Sequence, residues 1–163
     1  DPYLVCNNQI KKTVKESCYD QMNSLVLSLA GGNLSSSLKY IKEIENEYFA
    51  AKAIHGIAGA YGQNNVGKTN YNEVINICQD LSSSLQSSCL EGFLLGMIEG
   101  GKPGEEYVEG IKFCSNEFME EGEKIRCFNN IVWNVKTTNP QKLAYVCSSL
   151  DRKYRQNCDR TQN

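Results

Sequence analysis

An all-α chain of tandem antiparallel helical hairpins, about five with a period of about 35 residues, is the fold this sequence predicts. Three observations carry that expectation. Eight cysteines fall into close pairs, Cys6 with Cys18, Cys78 with Cys89, Cys114 with Cys127 and Cys147 with Cys158, at gaps of 12, 11, 13 and 11. The first members of the last three pairs are 36 and 33 residues apart, and the interval from Cys6 to Cys78 is 72, twice 36. Apolar residues also recur at fixed offsets from these cysteines, at the spacing of one helical face.

The doubled interval calls for a unit without cysteines. The segment LKYIKEIENEYFAAKAIHGIAGAYG supplies it, with Ile41 and Ala53 at the two cysteine positions. Aligned on Cys18, Ala53, Cys89 and Cys127, the next residues are Tyr19, Ile54, Leu90 and Phe128. Four later stand Met22, Ile57, Phe93 and Ile131, and eight later Val26, Tyr61, Met97 and Val135. In the first halves, the residues just before the leading anchors are Val5, Tyr40, Ile77, Phe113 and Val146. Each unit therefore reads as helix A, a short polar turn and helix B, with units near 1–32, 33–67, 68–103, 104–139 and 140–163.

The breaks agree with this division. Gly31-Gly32-Asn33, the stretch from Gly62 to Gly67, Gly100 to Gly104 and Thr138-Asn139-Pro140 separate the units, and glycine and proline end and restart helices. Within units, Ser82-Ser83-Ser84 and Glu121-Gly122-Glu123 read as the turns. Nothing alternates with period two for long enough to predict a sheet.

Two antiparallel helices joined by a short turn bring residues equidistant from the turn into contact. Partners 11 to 13 apart meet in this way, which selects the four nearest-neighbour pairs as disulfides. Zinc is the competing use of cysteine, but structural zinc sites take closer pairs, and the chain has a single histidine. Disulfides imply an oxidising compartment, so a secreted, periplasmic or cell-surface location is expected. The chain opens at Asp1 without a charged, apolar leader, and any signal peptide is expected to have been removed. No apolar run approaches the roughly 20 residues of a membrane span. Seventeen basic and nineteen acidic side chains give a net charge of −2, and only Arg152, Lys153, Arg155 and Arg160 form a local basic excess. Nucleic acid is not an expected partner.

Helical hairpins of this period resemble the tetratricopeptide superfamily, and a disulfide in each hairpin most resembles its secreted, cysteine-rich Sel-like branch. The segment AIHGIAGAYG, Ala53 to Gly62, is similar to the A-x-x-x-G-x-x-Y signature of the repeat. The resemblance implies a short disulfide-stapled α-solenoid that binds proteins or peptides on a concave face lined by the A helices.

Several constellations invite a sharper reading. GQNNVGKT, Gly62 to Thr69, satisfies G-x-x-x-x-G-K-[ST], the pattern of a phosphate loop in which Lys68 and Thr69 serve the phosphates and magnesium. Such a loop needs a strand before it, whereas this one follows a predicted helix, so the glycines and Lys68 read as a helix C-terminus. His55 is the one candidate general base titrating near neutrality. It stands two residues after the Ala53 anchor, where the other units carry Asp20, Glu91 and Asn129, and no serine or free cysteine is placed to partner it. Gly56, Gly59, Gly92 and Gly96 lie inside B helices, where each costs about 1 kcal/mol relative to alanine. Close approach of adjacent helices explains them, and a ligand slot is the alternative. Trp133 and Tyr145 are expected in the core, and Asn33-Leu34-Ser35 is an N-glycosylation sequon.

The reading is a non-catalytic, extracytoplasmic protein- or peptide-binding module with no cofactor or metal. A structural subunit self-associating through its end hairpins is the alternative, and an enzyme or nucleotide binder using Gly62–Thr69 comes third. Because the second unit lacks a disulfide and carries glycines in helix B, it is expected to open first.

Overall fold

The computed structural model describes residues 1–158. It is helical throughout, with no strand among the described residues. The first hairpin consists of α1 (Leu4–Asn7), α2 (Lys12–Gln21) and α3 (Asn23–Leu29). The second pairs α4 (Leu34–Ile41) with α5 (Glu47–Asn64), the third α6 (Tyr71–Gln79) with α7 (Ser83–Glu99), and the fourth α8 (Tyr107–Cys114) with α9 (Glu121–Thr138). The fifth has α10 (Leu143–Ser149) followed by a 3-10 turn, Arg152–Tyr154. Residues 159–163, and with them Arg160 and the end of the fifth unit, lie outside the described residues.

Local chemistry sets these boundaries. Asparagine opens α4, α5 and α6: Asn33 Oδ1 accepts the Ser36 amide at 2.8 Å, Asn46 those of Tyr48 and Phe49, and Asn70 that of Asn72. Each such cap contributes about 1 kcal/mol relative to alanine. The joints between hairpins turn through glycines with positive φ, Gly31 at 66° and Gly32 at 77° after α3, and Gly67 and Gly104 at the next two joints. L-residues with a Cβ rarely adopt that conformation.

The four disulfides join the nearest-neighbour cysteines, with Cα separations of 5.5, 5.6, 5.6 and 6.0 Å in chain order. Ile41 and Ala53 occupy the matching places in the second hairpin, both buried. The B helices lie side by side in chain order, α2 and α3 against α5, α5 against α7, and α7 against α9. Aromatic side chains link one hairpin to the next beneath them. Tyr19 stacks on Tyr3 and on Phe49, and Phe93 meets Phe113 with centroids 5.0 Å apart.

The closest contact is between α5 and α7. A methyl group on Gly92 would overlap the backbone carbonyl of His55, and one on Gly96 would overlap that of Gly59. Gly100 meets Gln63 in the same way, and all three pairs are 37 residues apart, so the helices run parallel in one register. The glycines thus mark close helix packing, the first of the two readings from sequence.

A second device appears at every joint. A carboxylate near the start of a B helix accepts a hydroxyl across the joint: Tyr48 Oη donates to Glu16 at 2.9 Å, Ser84 Oγ to Glu47, Ser87 Oγ to Glu123 at 3.2 Å, and Tyr154 Oη to Glu121 at 3.2 Å. These pairs are 32, 37, 36 and 33 residues apart, the repeat period again.

Three expectations are corrected. Trp133 and Tyr145 are not core residues; they are 65% and 63% exposed, and no described residue covers them. Glu121-Gly122-Glu123 is the first turn of α9, not the connection before it. The first hairpin's A helix has only four residues, and its B helix breaks at Met22 into α2 and α3. The expectation that the second hairpin opens first stands as a prediction, which amide exchange across residues 38–61 checks. Its α5 is held on one side by α2 and α3 and on the other by α7.

Candidate functional site

The B helices of the first three hairpins leave a groove of about 580 Å³ between them. Glu16 and Asp20 come from α2, Tyr48, Lys52 and His55 from α5, and Ser88 and Glu91 from α7. Asp20, His55 and Glu91 hold equivalent positions two residues after the anchors, so the repeat itself places them in one row. His55 is half-buried between its two acidic counterparts.

A second hollow, about 280 Å³, shares Asp20 and His55 and runs on over Gly56, Gly59, Gly92 and Gly96. The glycines that let α5 and α7 meet also leave their outer surface without side chains, so the same residues shape this floor. Close approach and a surface hollow are two consequences of one choice.

Tyr48 forms one wall. Its hydroxyl donates to Glu16, and the Nζ atoms of Lys12 and Lys52 lie 5.3 and 5.8 Å from its ring centroid. The bond to Glu16 pushes the Tyr48 hydroxyl pKa above its ordinary value, keeping it a donor. Lys12 reaches Glu16 at 3.8 Å. The groove therefore offers carboxylates, an ammonium, an imidazole and an aromatic edge on the side of one helical array. Ser88 Oγ is occupied as a donor to the Ser84 carbonyl at 3.2 Å, and all eight cysteines are in disulfides.

The sequence singled out His55 but not Glu16, Tyr48 or Lys52. The aligned row of Asp20, His55 and Glu91 was the signal for the groove. The neighbours became visible only once the hairpins were stacked. The groove also lies on the B helices, not on the A helices that the family resemblance implied. In this chain the A helices have four to nine residues, too short to build a broad face.

Two other polar clusters sit at joints. Tyr71 donates to Glu109, which also pairs with Lys112; Lys112 first, then Tyr71, holds the Glu109 carboxyl below the usual range, and burial pushes the Tyr71 hydroxyl up. Glu123 is buried with Arg126 and Ser87 beside a cavity of about 40 Å³ between α7 and α9.

Gly62–Thr69 has another geometry. Gly62 lies inside α5, buried, and the chain leaves the helix through Asn65. The Lys68 amide and the Thr69 hydroxyl both donate to the Asn65 carbonyl, at 3.0 and 3.3 Å, while the Lys68 side chain is exposed. The segment is a helix C-terminal turn. Lys68→Ala should accordingly leave stability within about 0.5 kcal/mol, and ATP at millimolar concentration should not move the melting temperature. A rise of several degrees that Lys68→Ala removes would show a phosphate site.

No protein-family model, curated protein or solved structure matches this chain. Among the described residues, no helix is long and apolar enough to cross a membrane, and no group of three or more His, Cys, Asp or Glu side chains is placed to hold a metal ion.

Proposed function

We propose that this chain is a non-catalytic recognition module of an oxidising, extracytoplasmic compartment, a short solenoid of tetratricopeptide-like hairpins that binds a protein or peptide. The observation that carries this reading is the groove along Asp20, His55 and Glu91, where three hairpins converge on one open surface. The packing supports it: α5 and α7 meet in direct backbone contact at Gly92 and Gly96, a geometry that favours a preformed surface. Preorganisation of this kind lowers the entropic cost of binding. Four disulfides stabilise the scaffold and suggest the compartment. The groove is open and carries Glu16, Asp20, Lys52, His55 and Glu91 along its length, and suits a chain laid across it.

Selection of peptides from a displayed random library against the oxidised protein tests this reading. Selected peptides should lose at least about tenfold in affinity, 1.4 kcal/mol, on Tyr48→Ala or on Lys52→Glu. Asn129→Ala, at the equivalent position on α9 beyond the groove, should leave binding unchanged. Peptides that bind all these variants equally, or a library that yields none, would refute the groove as the recognition surface.

A further inference from the structure

The small cavity between α7 and α9 adjoins the groove, because Glu91 lines both. Its floor is apolar, built from Leu90, Leu94, Met119 and Cys127, all buried. Its mouth is polar and open: Ser87 and Asn130 are half-buried there, and Glu91 and Arg126 are exposed. The one buried charge at its edge is engaged. The Glu123 carboxylate accepts Ser87 Oγ at 3.2 Å, Arg126 Nε at 3.3 Å and a second guanidinium nitrogen of Arg126. An ionised group entering this space would lose its hydration over a hydrocarbon floor, whereas an aliphatic group would lose nothing. At about 40 Å³ the cavity takes the end of one side chain.

We infer that this cavity is the anchor site of the groove, and that it takes one aliphatic side chain of an extended peptide with a lysine or arginine beside it. The inference rests on the groove being the recognition surface. Charge complementarity fixes the neighbours of the anchor. Glu91 stands at the lip shared by cavity and groove, and Lys52 stands one helix back, on α5. Among the described residues neither forms an ion pair. A basic residue next to the anchor meets Glu91, and an acidic residue further along meets Lys52. Helices in close contact lie about 8 Å apart, and an extended chain advances about 3.3 Å per residue. The acidic residue therefore belongs two or three positions from the basic one. The buried anchor supplies affinity and the flanking charges set the register.

Peptides selected from the random library on the oxidised protein provide the test. Their sequences should share an aliphatic residue beside a lysine or arginine, with an acidic residue two or three positions away. Photo-leucine at the aliphatic position, cross-linked to the unaltered protein and mapped by mass spectrometry, should label Leu90, Leu94 or Met119. Asn130→Phe, which fills the mouth, should weaken binding at least about tenfold. A peptide with alanine at the anchor should not distinguish that variant from the unaltered protein. Glu91→Lys should weaken binding by a similar factor, and a peptide with glutamate in place of its basic residue should recover it. Helical circular dichroism and the native disulfide map check that both variants fold, and the cross-linking needs neither. Peptides that depend on Tyr48 and Lys52 but share no aliphatic–basic pair, or that cross-link elsewhere, would overturn the anchor site and leave the groove standing. Binding indifferent to Tyr48 and Lys52, or a library that yields no peptide, would remove both.

Discussion

Gly96→Ala should destabilise this protein by about 3 kcal/mol, the upper end of what overpacking a core costs, although helix propensity alone favours alanine. The added methyl would stand where the Gly59 carbonyl already is, and a backbone oxygen cannot turn aside as a side chain can. Relief requires α5 and α7 to separate, which also disturbs the Gly92–His55 and Gly100–Gln63 contacts in the same register. Gly122 supplies the control. It lies in the exposed first turn of α9, and a Cβ there meets nothing within 4 Å. Gly122→Ala should therefore stabilise by about 0.4 to 1 kcal/mol through helix propensity and a less flexible unfolded chain. Chemical denaturation of the two variants decides between packing and propensity. Equal, small effects would mean that the α5–α7 contact is not close.

Removing the central staple should have an effect of similar size. Cys78→Ala with Cys89→Ala opens a loop of 11 residues whose closure contributes about 3 kcal/mol on the chain-entropy account. Both cysteines are fully buried, so the substitution also leaves cavities. The equivalent change at Cys147 and Cys158, both only half-buried in the last hairpin, should cost less and leave the first four hairpins folded. Thermal unfolding followed by circular dichroism separates the cases. A larger loss at the terminal pair than at the central one would contradict the packing order described above.

Much of this architecture was legible in the sequence, for a physical reason. A disulfide fixes two positions on facing helices, so the cysteine gaps measure the turn between them, and the intervals between pairs measure the repeat. The aligned apolar rows then give the buried faces, and Ile41 and Ala53 fall where a cysteine pair would sit. What stayed hidden depends on how much of a neighbour is present. Trp133 looks like a core aromatic on its own helix, and its exposure depends on which neighbours lie over it, which one helix cannot show. Glu121-Gly122-Glu123 has turn composition but lies in a first helical turn, where acidic side chains favour the helix dipole. The bridges from Glu16, Glu47, Glu123 and Glu121 to hydroxyls one period away use ordinary surface residue types, so nothing in composition distinguished them. For the groove, the row of Asp20, His55 and Glu91 was visible, but the walls built by Tyr48 and Lys52 required the actual side-by-side placement of α2, α5 and α7.

The central claim is that residues near 33–67 form a hairpin in register with the four that carry disulfides. Ile41 and Ala53 are buried at the two anchor positions, and the native pairs at those positions have Cα separations of 5.5 to 6.0 Å. Ile41→Cys combined with Ala53→Cys should therefore form a fifth bond between positions 41 and 53 on oxidative refolding. Non-reducing peptide mapping should find that bond together with the four native ones. If the two new thiols remain reduced, or pair with native cysteines in place of each other, the second hairpin is out of register and the five-fold repeat is wrong.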